Sequence, residues 1–122
     1  MQSSSIYRFI WFLVCIVLAT GLIFPPLMDY DAAEYAGIAM TMYQHNDWLN
    51  IVNRQYANGA LYDYLDKPHM LFWSAMAGFK IFGLNQVGYR FFSVLFSLAA
   101  AFATGQLGKH LYNKEVGRWA SL

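Results

Sequence analysis

The chain has 122 residues and a formal net charge of +1; 58% of its residues are hydrophobic, 19% are aromatic and 12% are charged. Soluble proteins carry about 25% charged residues, so this composition excludes an ordinary soluble domain and predicts an all-α integral membrane protein. Eight lysines and arginines are too few for a long phosphate-contacting surface, so nucleic acid is not an expected partner, whereas membrane lipids are. The single cysteine, Cys15, excludes an intrachain disulfide.

The first predicted element is a transmembrane helix over residues 6–28. No charged residue interrupts the run from Phe9 to Phe24, and with its neighbours this run can cross the roughly 30 Å hydrocarbon core of a bilayer. The two prolines that follow Phe24 end the helix, because proline lacks the amide donor and clashes with the preceding turn. A signal peptide is the competing interpretation, since Arg8 precedes the apolar run. An uncleaved anchor is favoured because no A-x-A-like cleavage motif follows.

Residues 29–67 form a polar loop that collects acids, a lysine and many aromatic side chains. Its first part predicts a helix, because several residues recur at three- and four-residue spacing and so share one face. They are Asp31, Glu34, Tyr35, Ile38 and Met42. Two carboxylates on one face suit a general base or a divalent cation site. The competing interpretation is structural, since Asp-x-x-Glu has the spacing of a helix capping box.

The rest of this loop carries turn-forming residues and large rings. Asn46, Asp47 and the Asn58-Gly59 pair predict turns. The rings suit a membrane-interface belt, which is the favoured interpretation, or stacking against a sugar. They belong to Trp48, Tyr56, Tyr62 and Tyr64.

A second, short transmembrane helix is predicted over residues 68–84, after Asp66 and Lys67 and opening at Pro68. Proline fits the first turn of a helix, and aspartate can cap its free amides. Lys67 beside the helix N-terminus suits a phosphate site, because a cation and exposed backbone donors meet there. An interfacial lysine anchor is the alternative. Lys80, near the end of this helix, is interpreted as reaching the membrane interface.

A third transmembrane helix is predicted over residues 89–108, and residues 109–122 form a loop in which a fourth helix could start near Val116. Small residues recur at successive i+4 positions of the third helix and would let another backbone approach closely. They are Ser93, Ser97, Ala101 and Gly105. This small-residue face predicts neighbouring helices, unless small side chains are merely tolerated there.

The basic residues give a weak indication of orientation. With three spans and a cytoplasmic amino terminus, loop 29–67 lies outside the cell. Lys109, Lys114 and Arg118 then also lie outside, which opposes the positive-inside rule. A dominant fourth helix or a reversed orientation would remove the conflict.

The three histidines, His45, His69 and His110, lack the spacing of metal ligands, so no metal site is predicted from them. Arg90, before the third helix, is expected to reach the interface or to bind lipid phosphate.

Four segments, in order, resemble the amino-terminal part of the membrane glycosyltransferases of the GT-C fold. That family includes the bacterial aminoarabinose transferases and relatives of the protein O-mannosyltransferases. The segments are PPLMDYDAAEYAGIAM, HNDWLN, DKPHMLFWSAMAGFKIFG and YRFFSVL, and they cover nearly all of the chain after the first helix. Their combination carries the resemblance. The chain departs from the family pattern at Ala32, where a second acid often follows the aspartate, and at His69, where a second proline is frequent.

The resemblance implies a function and a site. By position, Asp31 corresponds to the family's catalytic aspartate, and Lys67 to the lysine near the donor phosphate, with Glu34 and Asp66 as supporting acids. Members of the family transfer a sugar from a polyprenyl phosphate donor to a lipid, glycan or protein acceptor on the outer face of the membrane. The implied location is a bacterial inner membrane with loop 29–67 in the periplasm. No cofactor is required by the resemblance, and a divalent cation is one option.

Enzymes of this family are much larger helical bundles than 122 residues can form. The chain is therefore expected to supply the first few helices of such a bundle, as a fragment or truncated product, with the remaining helices or another membrane chain as partners. Two alternatives stay open. One is a small non-enzymatic membrane protein that assembles through the Ser93, Ser97, Ala101 and Gly105 face, and the other is an inert degenerate copy.

Overall fold

The structure, a computed structural model, describes residues 2–24, 30–53, 62–64 and 67–122. In these residues the chain forms five helices and one short pair of strands, in the order α1 (Gln2–Ile23), α2 (Tyr30–His45), β1 (Val52–Asn53), β2 (Tyr62–Asp63), α3 (His69–Phe82), α4 (Gln86–Leu111) and α5 (Lys114–Ala120). The described part is thus helical apart from two strands of two residues each, as the sequence predicts.

The chain divides into two compact units. The terminal unit comprises Met1–Leu22 and Ser93–Leu122, and the central unit comprises Ile23–Phe92. Residues of α4 belong to both units, because the unit boundary falls within that helix.

Two helices are long and apolar enough to cross a membrane, namely Ser5–Ile23 within α1 and the whole of α4. They overlap the first and third transmembrane helices predicted at 6–28 and 89–108, and residues 25–28 of the first lie outside the described residues. Large apolar side chains on both helices are exposed: Phe12 is 61% exposed and Phe102 is 67% exposed. A helix with so little of its apolar surface buried needs a lipid environment or partner helices to cover it.

The remaining predicted span, 68–84, corresponds to α3. This helix has 14 residues and so rises about 21 Å, which is less than the roughly 30 Å hydrocarbon core. One of its faces is buried against α2 and the turn that follows α2, through Phe72, Ala75, Met76 and Phe79. A membrane crossing by α3 therefore stays a prediction.

The core of the central unit lies between α2 and α3. Ile38, Ala39 and Met42 supply the α2 side of this core, and Ile51 completes it beside the strands. Ile38 and Met42, which were predicted to share a face with Asp31 and Glu34, are buried in this core, whereas Asp31 is exposed. Fully burying a side chain of this size contributes about 1.5–3 kcal/mol, so this contact holds α2 on α3.

The predicted turn at Asn46 and Asp47 closes α2. Asn46 has a positive φ of 51°, and its amide donates to the Tyr43 carbonyl while the Asp47 amide donates to the Met42 carbonyl. This pattern satisfies the last free carbonyls of the helix. The Asp47 carboxylate accepts from the Asn50 side chain and from the Leu49 and Asn50 amides. These bonds, the Asn50 side chain first, lower the pKa of Asp47.

The strands pair antiparallel with Val52 opposite Asp63 and Asn53 opposite Tyr62. The Tyr64 amide donates to the Ile51 carbonyl at 2.7 Å, which extends the pairing by one residue. This ladder brings Tyr64 back towards the core between α2 and α3, three residues before Lys67.

In the terminal unit, α5 packs on the end of α4 through glycines. A Cβ at Gly108 would lie 3.1 Å from the Gly117 Cα, and a Cβ at Gly117 would lie 2.6 Å from the Gly105 carbonyl oxygen. Asn113 starts α5, since its Oδ1 accepts the amides of Glu115 and Val116 at 2.9 Å each. The short helix α5 thus lies where a fourth helix was predicted to start near Val116, and a fourth membrane helix stays a prediction.

The predicted small-residue face divides into two parts. Gly105, at its end, is half-buried, and a Cβ there would lie 2.9 Å from the Ser121 Cβ. Ser93 and Ser97 are exposed, and the Ser97 hydroxyl donates to the Ser93 carbonyl at 2.8 Å. A large residue at position 105 would disturb the α4–α5 contact inside the chain, so that substitution alone cannot reveal an assembly with another chain.

Candidate functional site

The two acids predicted to share a face lie near the start of α2. Asp31 is in the first turn and is exposed, and Glu34 is half-buried three residues later. Residues three apart on a helix have neighbouring side chains, with Cβ atoms about 5–6 Å apart. Asp31 lies in the first described turn of α2, and residues 25–29 before it lie outside the described residues, so the capping-box interpretation stays an alternative. A carboxylate in the first turn also interacts favourably with the helix dipole.

Lys67 lies directly before α3 and meets the first turns of α2. Its Nζ is 6.0 Å from the centroid of the Tyr35 ring, a distance at the limit of a cation–π contact. Tyr35 follows Asp31 by four residues, so it lies about 6 Å further along the helix axis. Lys67 therefore lies by a ring of the helix that carries the two acids, one helical turn after Asp31, although 36 positions separate Lys67 from Asp31.

Three aromatic side chains, one of them the Tyr35 ring contacted by this lysine, pack together in a cluster. Tyr35 packs edge-on against Tyr64 and Phe72 with ring centroids 6.4 Å and 6.2 Å away, and Tyr64 packs edge-on against Phe72 at 6.2 Å. Such pairs contribute about 0.5–1.5 kcal/mol each beyond the burial of their area. The cluster fixes the start of α2 to the start of α3, and one of its rings, that of Tyr35, lies 6.0 Å from the Lys67 Nζ.

Sequence reasoning missed Phe72 and the packing role of Tyr35. Tyr64 was expected in an interface belt or against a sugar, and it is half-buried in this cluster. The available signal was spacing: Tyr35 lies on the same α2 face as the buried Ile38, and Phe72 lies five residues after Lys67. Asp66, Tyr56 and the Asn58-Gly59 turn lie outside the described residues, so their predicted roles stay predictions.

A second cluster, around Trp48, lies at the other end of α2. The Lys80 Nζ is 4.9 Å from the centroid of the Trp48 ring and donates to the Asn46 Oδ1 at 3.2 Å. The Trp73 indole donates to the Trp48 carbonyl, and a ring nitrogen of His69 lies 3.0 Å from the Leu49 carbonyl oxygen. These contacts join the turn after α2 to α3. Trp48 and Tyr64, predicted as one set of rings, thus belong to separate clusters.

An open groove of about 250 Å³ runs along the central unit beside α2. Ala36, Gly37 and Met40 line it from α2, immediately after Tyr35, and Phe79 and Tyr89 line it from the other side. Gly37 has no side chain to narrow this groove. The lining is mainly apolar, so the groove suits a hydrocarbon chain better than a sugar.

Among the described residues, no group of three or more histidine, cysteine, aspartate or glutamate side chains is arranged to hold a metal ion. Asp66, one of the three acids that the sequence brings to the site, is outside that search. The described acids of the site are therefore two, Asp31 and Glu34.

Comparison with known proteins gives one informative similarity. The chain is 34% identical over 77 residues to an uncharacterized protein of Aquifex aeolicus (strain VF5); the match covers 63% of this chain and 14% of that protein. Since 77 residues are 14% of it, that relative is about 550 residues long. No protein-family model matches the chain, and no solved structure matches it.

Proposed function

We propose that this chain forms the donor-side part of a membrane glycosyltransferase that moves a sugar from a polyprenyl phosphate to a lipid, glycan or protein acceptor. The observation that carries the proposal is the meeting of two distant motifs. Lys67 lies over Tyr35 at 6.0 Å, next to the helix turn that holds Asp31 and Glu34. A catalytic carboxylate and a phosphate-binding cation need such proximity, because both act on the same anomeric carbon.

In the proposed reaction, an acceptor hydroxyl attacks the anomeric carbon of the donor sugar. A new bond forms between the acceptor oxygen and that carbon, and the bond from the carbon to the phosphate oxygen breaks. The Asp31 carboxylate takes the hydroxyl proton as general base. The leaving phosphate keeps the electron pair of the broken bond, and the Lys67 ammonium offsets its growing negative charge. Glu34 and Asp66 orient these groups or share a divalent cation.

Two further observations support this assignment. The apolar groove beside Ala36 and Gly37 begins one residue after Tyr35, where a polyprenyl tail could leave the site. The Aquifex relative is far longer than its matched part, as expected if the chain contributes one portion of a larger helical bundle. The acceptor side of the site would then come from the remaining helices.

Changing Lys67 to glutamine is expected to lower kcat/KM for the polyprenyl-phosphate sugar by about 10²-fold, because the cation acts on charge that grows in the transition state. Lys67→Arg keeps the charge and should retain most of the activity. The measurement is the release of polyprenyl phosphate from labelled donor. It uses membranes that contain the full gene product, either unchanged or with one of these substitutions. Lys80→Gln, which removes one charge at the Trp48 cluster, is the matched control. Equal losses in Lys67→Gln and Lys80→Gln would remove Lys67 from the donor site.

We also propose that the chain crosses the membrane twice, through α1 and α4, with α3 on one side. The Tyr7 hydroxyl lies 3.1 Å from the hydroxyl of Ser121, which follows α5 and lies against Gly105 near the end of α4. The beginning of α1 and the end of α4 therefore share a side. Two crossings satisfy this contact, whereas a third crossing by α3 would separate Tyr7 from Ser121. Four basic residues, Arg8, Lys109, Lys114 and Arg118, flank the spans on that side, against three in residues 24–85. The positive-inside rule then favours a cytoplasmic location for the ends and a periplasmic one for the site.

Cysteine labelling tests this topology. In a Cys15→Ser background, single cysteines are introduced at Ser5, Gln44 and Tyr112, which are all exposed. A membrane-impermeant maleimide should label Gln44→Cys in intact spheroplasts, and should label Ser5→Cys and Tyr112→Cys only after permeabilisation. Labelling of Ser5→Cys and Tyr112→Cys from opposite sides would show an odd number of crossings and would contradict the proposal.

A further inference from the structure

A cavity of about 590 Å³ opens in the terminal unit, away from the residues of the proposed transfer site. Its walls come from the beginning of α1, the last turns of α4 and the short helix α5. The glycine contacts of α5 with α4, through Gly105, Gly108 and Gly117, hold the third wall in place. Three separate elements therefore build this cavity.

The cavity gathers half of the basic residues of the chain. Arg8 comes from α1, Lys109 from α4, and Lys114 and Arg118 from α5. Among the described residues that line it, none is acidic. Four like charges around one space repel each other, and a bound anion would relieve that repulsion. The cavity therefore has the electrostatics of an anion site.

The neutral lining adds hydrogen-bonding groups and interfacial rings. Tyr7 and Trp11 line the α1 wall, and rings of this kind are typical of the level where lipid head groups meet the hydrocarbon core. The Trp11 Nε1 is buried and has no hydrogen-bond partner in the described part of the chain. A buried donor without an acceptor costs about 1–3 kcal/mol, so an acceptor oxygen near this ring would be stabilising.

We propose that this cavity binds a phosphate group, with the head group of an anionic membrane phospholipid as its main source. The inference rests on the proposed topology in which α1 and α4 both cross the membrane: their ends line the cavity, which sets it at head-group depth, and basic pockets between transmembrane helices bind anionic head groups. Arg8 and Arg118 can each hold two phosphate oxygens through the planar guanidinium, while Lys109 and Lys114 act as point charges. A soluble phosphate compound shares this chemistry and is the other source.

The test uses the full chain in nanodiscs of phosphatidylcholine mixed with phosphatidylglycerol, followed by native mass spectrometry of the retained lipid. We expect a preference for phosphatidylglycerol, and an affinity about five-fold lower in Arg118→Gln and in Lys109→Gln, given the usual contribution of one basic residue at an anionic surface. Arg118→Lys should restore part of the affinity. Lys80→Gln is the matched control, since it removes one charge outside the cavity. Circular dichroism checks that each variant keeps its helices.

A second arm separates the two sources of phosphate. Inorganic phosphate is titrated against the protein in neutral detergent, and binding is followed by isothermal calorimetry. If the protein prefers phosphatidylglycerol and Arg118→Gln and Lys109→Gln weaken that preference, the phosphate comes from the lipid. If the protein has no lipid preference but binds inorganic phosphate, and the same two variants weaken this binding, the cavity is a phosphate site with a soluble source. If neither ligand binds, or if Lys80→Gln weakens binding as much as Arg118→Gln, the proposal is wrong. Sugar transfer need not change in any of these outcomes, so the result is independent of the Asp31 and Lys67 assignments.

Discussion

Replacing Asp31 by asparagine is expected to lower sugar transfer by about 10²- to 10⁴-fold, the usual contribution of a positioned general base. Asparagine has nearly the same shape as aspartate but cannot accept the proton of the acceptor hydroxyl. Asp31 is exposed in the first turn of α2, so the change leaves the core between α2 and α3 intact. The loss should therefore fall on kcat, with little change in protein amount or in KM for the donor.

The measurement is a single-turnover assay of labelled polyprenyl-phosphate sugar in membranes, normalised to the gene product by an antibody against residues 29–67. Asp63→Asn provides the matched control, because Asp63 is also an exposed acid of the central unit and belongs to β2 rather than to the proposed site. Its activity should stay within about twofold of the native protein, the range expected of a group outside the chemistry. Near-normal transfer by Asp31→Asn at normal expression would exclude the catalytic role.

The helices of this chain could be predicted because each leaves a local signature. The apolar run of α1 predicts a helix long and apolar enough to cross a membrane, and the spacing of Ile38 and Met42 predicts a helix on which they share one face. The end of α2 was equally readable, since asparagine tolerates the left-handed conformation that Asn46 adopts. Sequence patterns are sufficient to predict a helix or turn whose conformation is determined by residues close to it in the sequence.

The extent and packing of α3 depended on contacts that local rules do not contain. Its sequence from Met70 to Phe82 is apolar enough for a span, yet 14 residues of this kind also suit a helix with one buried face. The partner of that face is α2, which lies some thirty residues earlier in the chain. Similarly, α4 begins at Gln86 rather than at 89, because the Asn85 side chain accepts the Gly88 amide at 2.9 Å and starts the helix.

The candidate sites also depend on contacts between residues that are distant in sequence, which sequence patterns do not reveal. The acids of α2 were predicted from spacing and resemblance, but the contact of Lys67 with Tyr35 depends on how α2 and α3 pack. The cationic cavity was not predicted, because its four basic residues come from three helices that are distant in sequence. A pattern of single charges at positions 8, 109, 114 and 118 has no period to detect. The return of α5 onto α4, which the glycines permit, places Lys114 and Arg118 beside Lys109, and the start of α1 adds Arg8.

Gly78→Ala is expected to destabilise the central unit by about 1–3 kcal/mol or more, the usual cost of forcing atoms into a packed contact. Gly78 is buried where α3 passes the first turn of α4, and a Cβ at this position would collide with the backbone carbonyl of Gly88. From the other side, a Cβ at Gly88 would lie 2.7 Å from the Gly83 carbonyl oxygen. A backbone group cannot rotate away as a side chain can, so the helices themselves must separate.

Gly37→Ala is the matched control, because it makes the same change in the neighbouring helix α2. A Cβ at Gly37 meets no described atom within 4 Å, so alanine there should be neutral or stabilising by up to about 1 kcal/mol through its higher helix propensity. The two variants are compared by thermal unfolding in detergent, followed by circular dichroism. If only Gly78→Ala lowers the thermal-unfolding midpoint, the loss of stability comes from the contact with Gly88 and not from the general effect of alanine on a helix. Equal midpoints would mean that α3 and the start of α4 are not in close contact.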